Sequence, residues 1–549
     1  MSTPALPSLP AWVRNAVFYE VYPQTFLDTD GDGIGDLEGI IRRLDYIRGV
    51  GATALWINPF YLSPMRDAGY DVQDFRQVDP RYGTLADARR LFAEAHARGL
   101  RVILDLVPGH TSIDHPWFRE SSRTAPARPY KNWYIWTDSA WNNGGAPWNQ
   151  KMIHGYSNRN GNFLINFFWS QPALNFGFAQ PEPDKPWQLP TTHEDVQALW
   201  REMRAIMRHW LELGADGFRV DMADTLIRND PGHLEIRRFW RETRAELTAD
   251  FPELFLIAEG HPSNLLDGTG FHSAYLHWAA GYWELFRAGE TRAQTGELLR
   301  TEAYFSRGGL GDFRPYLKTW REQYELTRHG GVITVPVGNH DLPRVAVGQS
   351  EEDLALIFAF QCAWPGIPFI YYGDEIGLRQ QSSENPIHEG HYPTRNGART
   401  PMHWDSSANL GFSEAPPSRL YLPVDPRPGA ATVAAQESSP DGLLQRVRAL
   451  NQLHRAEPAF AADAPIKLLT EGAPGQPLVF TRGAEARTVL CVFAPAAAPF
   501  ALTLPLPPAE WRPLAGAGVK VTPGAELTHL SGNGPVWAFF VRQPDTAAG

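Results

Sequence analysis

Gly217-Phe218-Arg219-Val220-Asp221-Met222-Ala223 is the stretch from which the rest of the chain can be read. A β-branched and aromatic run carries an arginine and, two residues on, an aspartate. Side chains at i and i+2 of a strand point the same way. Arg219 and Asp221 therefore share a face at the strand's C-terminal end. An arginine beside a carboxylate keeps it ionised and fixes its rotamer, which suits a carboxylate nucleophile.

Seven similar apolar runs accompany this one: Ala16–Val21, Ala52–Pro59, Val102–Val107, Leu254–Glu259, His272–His277, Gly331–Val337 and Pro368–Tyr372. Amphipathic segments separate them, among them Leu37–Val50, Thr84–Arg98, Glu194–Glu212 and Pro231–Thr248. Continuous apolar strands alternating with helices predict a parallel sheet buried on both faces. Eight such units predict an α/β fold, a (β/α)8 TIM barrel whose site lies at the strands' C-terminal ends. After the third run, residues 110–185 are rich in Trp, Asn, Gly and Pro and carry no long helical pattern, which predicts an inserted subdomain over the barrel mouth. The barrel then occupies residues 1–109 and 186–460, closing on a last amphipathic helix over Gly442–Ala459. Residues 461–549, with short alternating runs at Pro477–Thr481, Arg487–Phe493, Phe500–Leu504 and Val536–Val541, predict a C-terminal antiparallel β-sandwich domain.

A net charge of −11 with no basic face or long charge run argues against a nucleic-acid partner. No run approaches the ~18 apolar residues of a membrane span. Met1–Pro10 lacks a basic segment followed by an apolar one, and Cys362 and Cys491 are too few and too distant for a disulfide framework or a metal knuckle. The expected compartment is the cytoplasm. Nothing in the sequence separates a monomer from a homo-oligomer.

Other runs also carry or end in polar groups: Asp105 within the third and His110 after it, Glu259 at the end of the fifth, and Asn339-His340-Asp341 after the seventh. Three carboxylates around one mouth suit cleavage of a glycosidic bond by double displacement. Asp221, paired with Arg219, is the charged nucleophile. Glu259, at the end of an apolar run, is the neutral acid/base, because burial raises a carboxyl's pKa. Asp341 would hold and distort the sugar, and His110 and His340 would donate to its hydroxyls.

These motifs, in this order, resemble those of the α-amylase superfamily, glycoside hydrolase family 13, over nearly the whole chain. Three further segments resemble its oligo-1,6-glucosidase and α-glucosidase branch, to which trehalose synthases are related. They are Asp67-Ala68-Gly69-Tyr70-Asp71, Gln171-Pro172-Ala173-Leu174-Asn175, and Arg395-Asn396-Gly397-Ala398-Arg399 running on to Trp404. The resemblance implies Asp67, Tyr70, Gln171 and Arg399 as substrate-binding residues, with Asp67 and Arg399 at the floor of a pocket that takes a chain end. It implies a retaining exo-acting α-glucosidase on small α-glucosides. The alternative is a transglycosylase or isomerase on the same scaffold, trehalose synthase-like or sucrose-acting. Met222, after the nucleophile, is neither the valine of α-1,6-cleaving members nor the alanine or threonine of α-1,4 ones, so linkage stays open. Gly109 replaces an asparagine that holds calcium in many amylases, and no Lys-His pair follows Asp221, which argues against long starch.

A separate loop, Asp28-Thr29-Asp30-Gly31-Asp32-Gly33-Ile34-Gly35-Asp36, sets oxygen ligands at alternate positions around glycines. That pattern suits a hard cation such as Ca²⁺. The branch carries a similar single structural site, which implies Asp28, Asp30, Asp32, the Ile34 carbonyl and Asp36 as ligands.

Overall fold

All eight apolar runs form strands: β1 (Phe18–Val21), β2 (Ala54–Ile57), β3 (Arg101–Leu106), β4 (Gly217–Val220), β5 (Phe255–Ala258), β6 (Ser273–Tyr275), β7 (Val332–Thr334) and β8 (Phe369–Tyr371). The computed structural model describes residues 9–543 apart from 145–150, 267, 293–297, 382–392, 485–486, 507–508 and 525. Most of the N-terminal stretch read as lacking a leader, Met1–Ser8, lies outside them.

The strands are parallel and ordered β7-β6-β5-β4-β3-β2-β1-β8, each beside its neighbour in sequence, with β8 returning to β1. This is the (β/α)8 order; among the described residues no ladder bridges β7 and β8. Apolar residues face both ways along each strand. One parity fills the barrel interior, with Phe18, Trp56, Ile103, Phe255, Ile257, Tyr275 and Phe369 in a single cluster. The other parity, including Tyr19, Leu55, Leu104, Phe218 and Leu256, packs outward against the helices. Both faces being buried, the sequence shows no polar alternation. Gly217 opens β4 where the chain of β5 passes close: a Cβ there would lie 2.0 Å from the Phe255 carbonyl oxygen.

The helices follow the amphipathic segments. Leu85–Ala97 starts at a Thr84–Asp87 capping box, and Glu194–Leu213 stops at Gly214 in left-handed geometry (φ 117°). The single helix expected over Leu37–Val50 is two, Leu37–Arg42 and Leu44–Gly49. Arg43 leaves helical geometry between them and lays its guanidinium over the Trp404 ring at 4.0 Å.

Between β3 and the helix Glu194–Leu213, the inserted segment contains a short helix (Pro116–Ser121) and a hairpin (Lys151–Ile153 with Phe163–Ile165) over a small core of Ile135, Leu164, Ala173 and Phe178. At the C-terminus a five-stranded and a three-stranded antiparallel sheet enclose Val479, Leu490, Val492 and Phe540 against Leu504 and Leu530, a β-sandwich. The other face of the larger sheet meets the barrel: Phe493 packs on Phe360 of the helix Glu351–Ala363, and Phe480 on Trp364 just past its end.

Candidate active site

Inward parity decides which side chains reach the mouth. Glu259 continues the inward series Phe255, Ile257 past the end of β5, Asp221 continues Gly217, Arg219 past β4, and Asp105 follows Ile103 on β3. Arg219, 1% exposed, meets all three carboxylates. Its Nη1 donates to Asp105 Oδ1 at 2.8 Å and Asp221 Oδ1 at 2.9 Å, and its Nη2 lies 2.8 Å from Glu259 Oε2.

The Arg219–Asp221 pair has the geometry that the i, i+2 spacing implies. The Glu259 contact corrects the expected division of charge. Asp221 and Glu259 stand together over Arg219, close enough for the charge of one to shift the titration of the other. Burial, and then the charge of Glu259, push the Asp221 carboxyl well above the usual range. Burial also raises Glu259, but Arg219 and the Met222 amide, 3.2 Å from Oε2, outweigh it and hold the carboxyl low. An apolar approach to Glu259 predicted neutrality because the sequence does not show an arginine arriving from the neighbouring strand. Met222 itself takes left-handed backbone, φ 44°, a conformation costing a non-glycine residue about 1 kcal/mol.

A cavity of about 270 Å³ opens over these groups. Its deep end is polar, with Asp67, Tyr70, His110, Asp341 and Arg395 on the wall. Its outer end presents Phe167 from the inserted segment, Met222, Thr225 and Trp278, the last 51% exposed. Arg395 ties the floor together, donating to Asp67 Oδ1 at 2.8 Å and Asp341 Oδ1 at 3.1 Å. Arg399, expected at that floor, lies behind it. It donates through Nη2 to Asp341 Oδ1 at 2.9 Å and through Nε to the His340 carbonyl at 2.8 Å. Gln171 is likewise a supporting residue, giving Asp67 Oδ2 a 2.7 Å hydrogen bond. Although burial raises Asp341, His340 and the two arginines hold it well below the usual carboxylate range.

His110 donates from Nε2 to the Tyr70 carbonyl (3.0 Å) and accepts at Nδ1 from Asn166 (3.0 Å); burial pushes it down to about 4, so it is neutral. His340 does not line the cavity. It lies 1% exposed beneath Tyr70, whose ring it stacks at 5.3 Å. Sequence reading missed Arg395, one helical turn before Arg399, and the cavity residues Phe167, Asp224, Thr225 and Trp278. It also missed His277, which is buried with neither ring nitrogen meeting a protein partner. The signal for Glu20 was present: a carboxylate inside an otherwise apolar strand.

In the aspartate loop, carboxylate oxygens of Asp28, Asp30 and Asp36 come within 4.8 Å of one another. Asp32 is not part of that cluster; its Oδ1 accepts the Ile34 amide at 2.7 Å. Asp36 also caps the helix Leu37–Arg42 through the Gly39 amide. Burial, and in smaller part the charge of Asp30, raise Asp36. Three hard oxygen donors crowded against their own repulsion fit a divalent cation such as Ca²⁺, with Asp28, Asp30 and Asp36 to hold it.

Residues 20–463 match the family model of the alpha amylase catalytic domain. The chain is similar to the trehalose synthase/amylase TreS of Mycobacterium tuberculosis, 33% identical with 89% of this chain and 83% of that one covered. It is equally similar, at 33%, to a probable alpha-glucosidase of Rhizobium meliloti, with 97% of both chains covered. The crystal structure of an alpha-glucosyl transfer enzyme, XgtA, superposes with a TM-score of 0.77 at 27% identity, covering 97% of this chain and 99% of that one. No helix among the described residues is long and apolar enough to cross a membrane.

Proposed function

This chain belongs to the alpha-amylase catalytic-domain family, and from that premise we propose that it is a retaining, exo-acting α-glucosidase on small α-glucosides. The observation that carries the reading is the Asp221–Glu259 pair: two carboxyls from adjacent strands held by one arginine at the wall of one cavity. A glucosyl ring seated between them would part the pair. Arg219 then stays with Asp221 and Asp105 and keeps Asp221 ionised, and Glu259 carries the proton. Asp221 attacks the anomeric carbon as the bond to the leaving oxygen breaks, and Glu259 gives that oxygen its proton. Water returns a proton to Glu259 as its oxygen attacks the same carbon, freeing Asp221 with the α configuration retained. The floor, where Arg395 joins Asp67 to Asp341, supports exo action on a chain end.

The likeness to a trehalose synthase supports a second reading, in which a sugar hydroxyl rather than water resolves the glycosyl-enzyme. We assign the aspartate loop as a structural Ca²⁺ site, supported by its converging oxygens.

NMR of products from maltose, isomaltose, trehalose and sucrose tests both readings. Glucose appearing first as the α anomer is the expected result; β-glucose would overturn double displacement, and trehalose from maltose would select the second reading. Asp221→Asn should abolish turnover at an unchanged melting temperature. Glu259→Gln should still release an activated aryl leaving group in the first step.

A further inference from the structure

The proposed mechanism makes no use of Glu20. It lies inside β1, 0% exposed, on the inward parity with Phe18, and its Oε2 meets no protein partner. A carboxylate in such a place is costly unless it is paired. Its Oε1 lies 2.6 Å from His340 Nδ1 and accepts from Asn58 Nδ2 at 3.2 Å.

The proton count at His340 follows from its neighbours. The Tyr70 hydroxyl has one proton and donates it to Asp105 Oδ2 at 2.9 Å, so toward His340 Nε2, 2.6 Å away, it can only accept. Nε2 therefore carries a hydrogen, which also points toward Asp341 Oδ2 at 3.3 Å. Nδ1 faces Glu20 Oε1; burial raises the Glu20 carboxyl, and the charge of His340 with hydrogen bonds from His340 and Asn58 opposes that. With Glu20 and Asp105 ionised, both ring nitrogens donate and the ring is an imidazolium. We propose that Glu20 is a positioning residue whose carboxylate holds His340 as this doubly donating cation, so that Tyr70 and Asp341 are fixed at the cavity wall for the glucosyl unit.

The chain is continuous from Glu20 through His340, Tyr70 and Asp105 to Arg219, which touches Asp221 and Glu259. Charged and titratable groups face His340 and Glu20 from every side: Asp341 on the same loop, Asp105 on β3, Arg219 on β4, Tyr275 on β6 and His277 after it, Tyr371 on β8, Arg399 at the His340 carbonyl, and Tyr22 with its ring 6.0 Å away. Against burial, Asp341 and Glu20 push His340 up to about 9.

The inference rests on the α-glucosidase reading only for what His340 serves; the protonation state stands apart from it. NMR titration of ring-labelled histidine, with the His340 signal assigned by its loss in His340→Gln, reads the state directly. In the native protein His340 should remain protonated at pH 7. In Glu20→Gln it should titrate at or below the ordinary value of about 6.5. The alkaline limb of kcat/KM should move down with it, and kcat/KM at pH 7.5 should fall about 10- to 100-fold, the worth of one hydrogen bond to a charged group. Glu20→Asp should recover part of both. A native His340 already neutral at pH 7 overturns the proposal without any variant. So does a Glu20→Gln protein whose His340 titrates as in the native one, or whose activity profile does not move. Turnover surviving Asp221→Asn would instead remove Asp221 as nucleophile, and with it the double-displacement reading, and leave the titration result standing.

Discussion

Replacing Arg219 by glutamine removes the one cation in contact with Asp105, Asp221 and Glu259 together, at 2.8–2.9 Å. Breaking a buried ion pair from one side costs about 3–5 kcal/mol. The folded variant can limit that loss by taking up a proton. For a glutamate of ordinary pKa near 4.3, the uptake costs about 4 kcal/mol at pH 7 and about 1 kcal/mol at pH 5. The two routes agree on a deficit of about 4 kcal/mol at neutral pH. Glu259, held low by Arg219 in the native fold, contributes stability that is present above the unfolded carboxylate pKa and lost as pH falls through the folded one. The gap between native and variant protein must therefore close on acidification, by about 1.4 kcal/mol per pH unit for each proton taken up. Urea unfolding followed by tryptophan fluorescence at pH 5, 6 and 7 measures it, since Trp56 lies 5.5 Å from the Arg219 guanidinium. A deficit below about 1 kcal/mol at pH 7, or one that stays flat across the series, would refute the account of Arg219 as the charge on which the three carboxyls depend.

Chelation at neutral pH should lower the melting temperature, and Asp30→Asn should blunt the effect. A site saturated 100-fold above its Kd contributes about 2.7 kcal/mol, so an unmoved melting curve would remove the calcium assignment. Arg395→Gln should raise KM for a short glucoside about 10-fold or more through loss of its charge-assisted contacts. Asp67→Asn should do the same, and the double variant should lose much less than the product of the two. Additive losses would show that the pair does not act as one floor.

The barrel could be read from the sequence because its strands are buried on both faces and therefore lie within mostly apolar runs, which overlap the strands they form and in most cases extend a few residues beyond them. The C-terminal domain was read less completely. Trp511–Gly516 and Val519–Pro523 are largely exposed edge strands with proline and lysine in them, so apolar continuity does not mark them, and the alternation Val519-Lys520-Val521-Thr522 is too short to stand out. At the site, residues placed by their own strand were legible: Asp105, Arg219 and Asp221 follow from position and parity. What was not legible depends on which side chain arrives from another element. The electrostatic setting of Glu259 depends on Arg219 across a strand boundary, and whether Arg395 or Arg399 reaches the cavity depends on one turn of a helix. Phe167 reaches the outer end from a segment without regular structure.

The helix Glu351–Ala363 is buried from Asp353 onward, with the barrel on one side and the phenylalanines of the C-terminal sheet on the other. Its last carbonyl is capped from across that boundary by Arg482, which also binds the Ala461 carbonyl. A shortened protein ending near residue 460 would leave this helix as an uncovered greasy ridge with a frayed end. The two lobes are thus one folding unit, and efforts to trim the molecule to its enzymatic half should meet aggregation rather than a smaller enzyme.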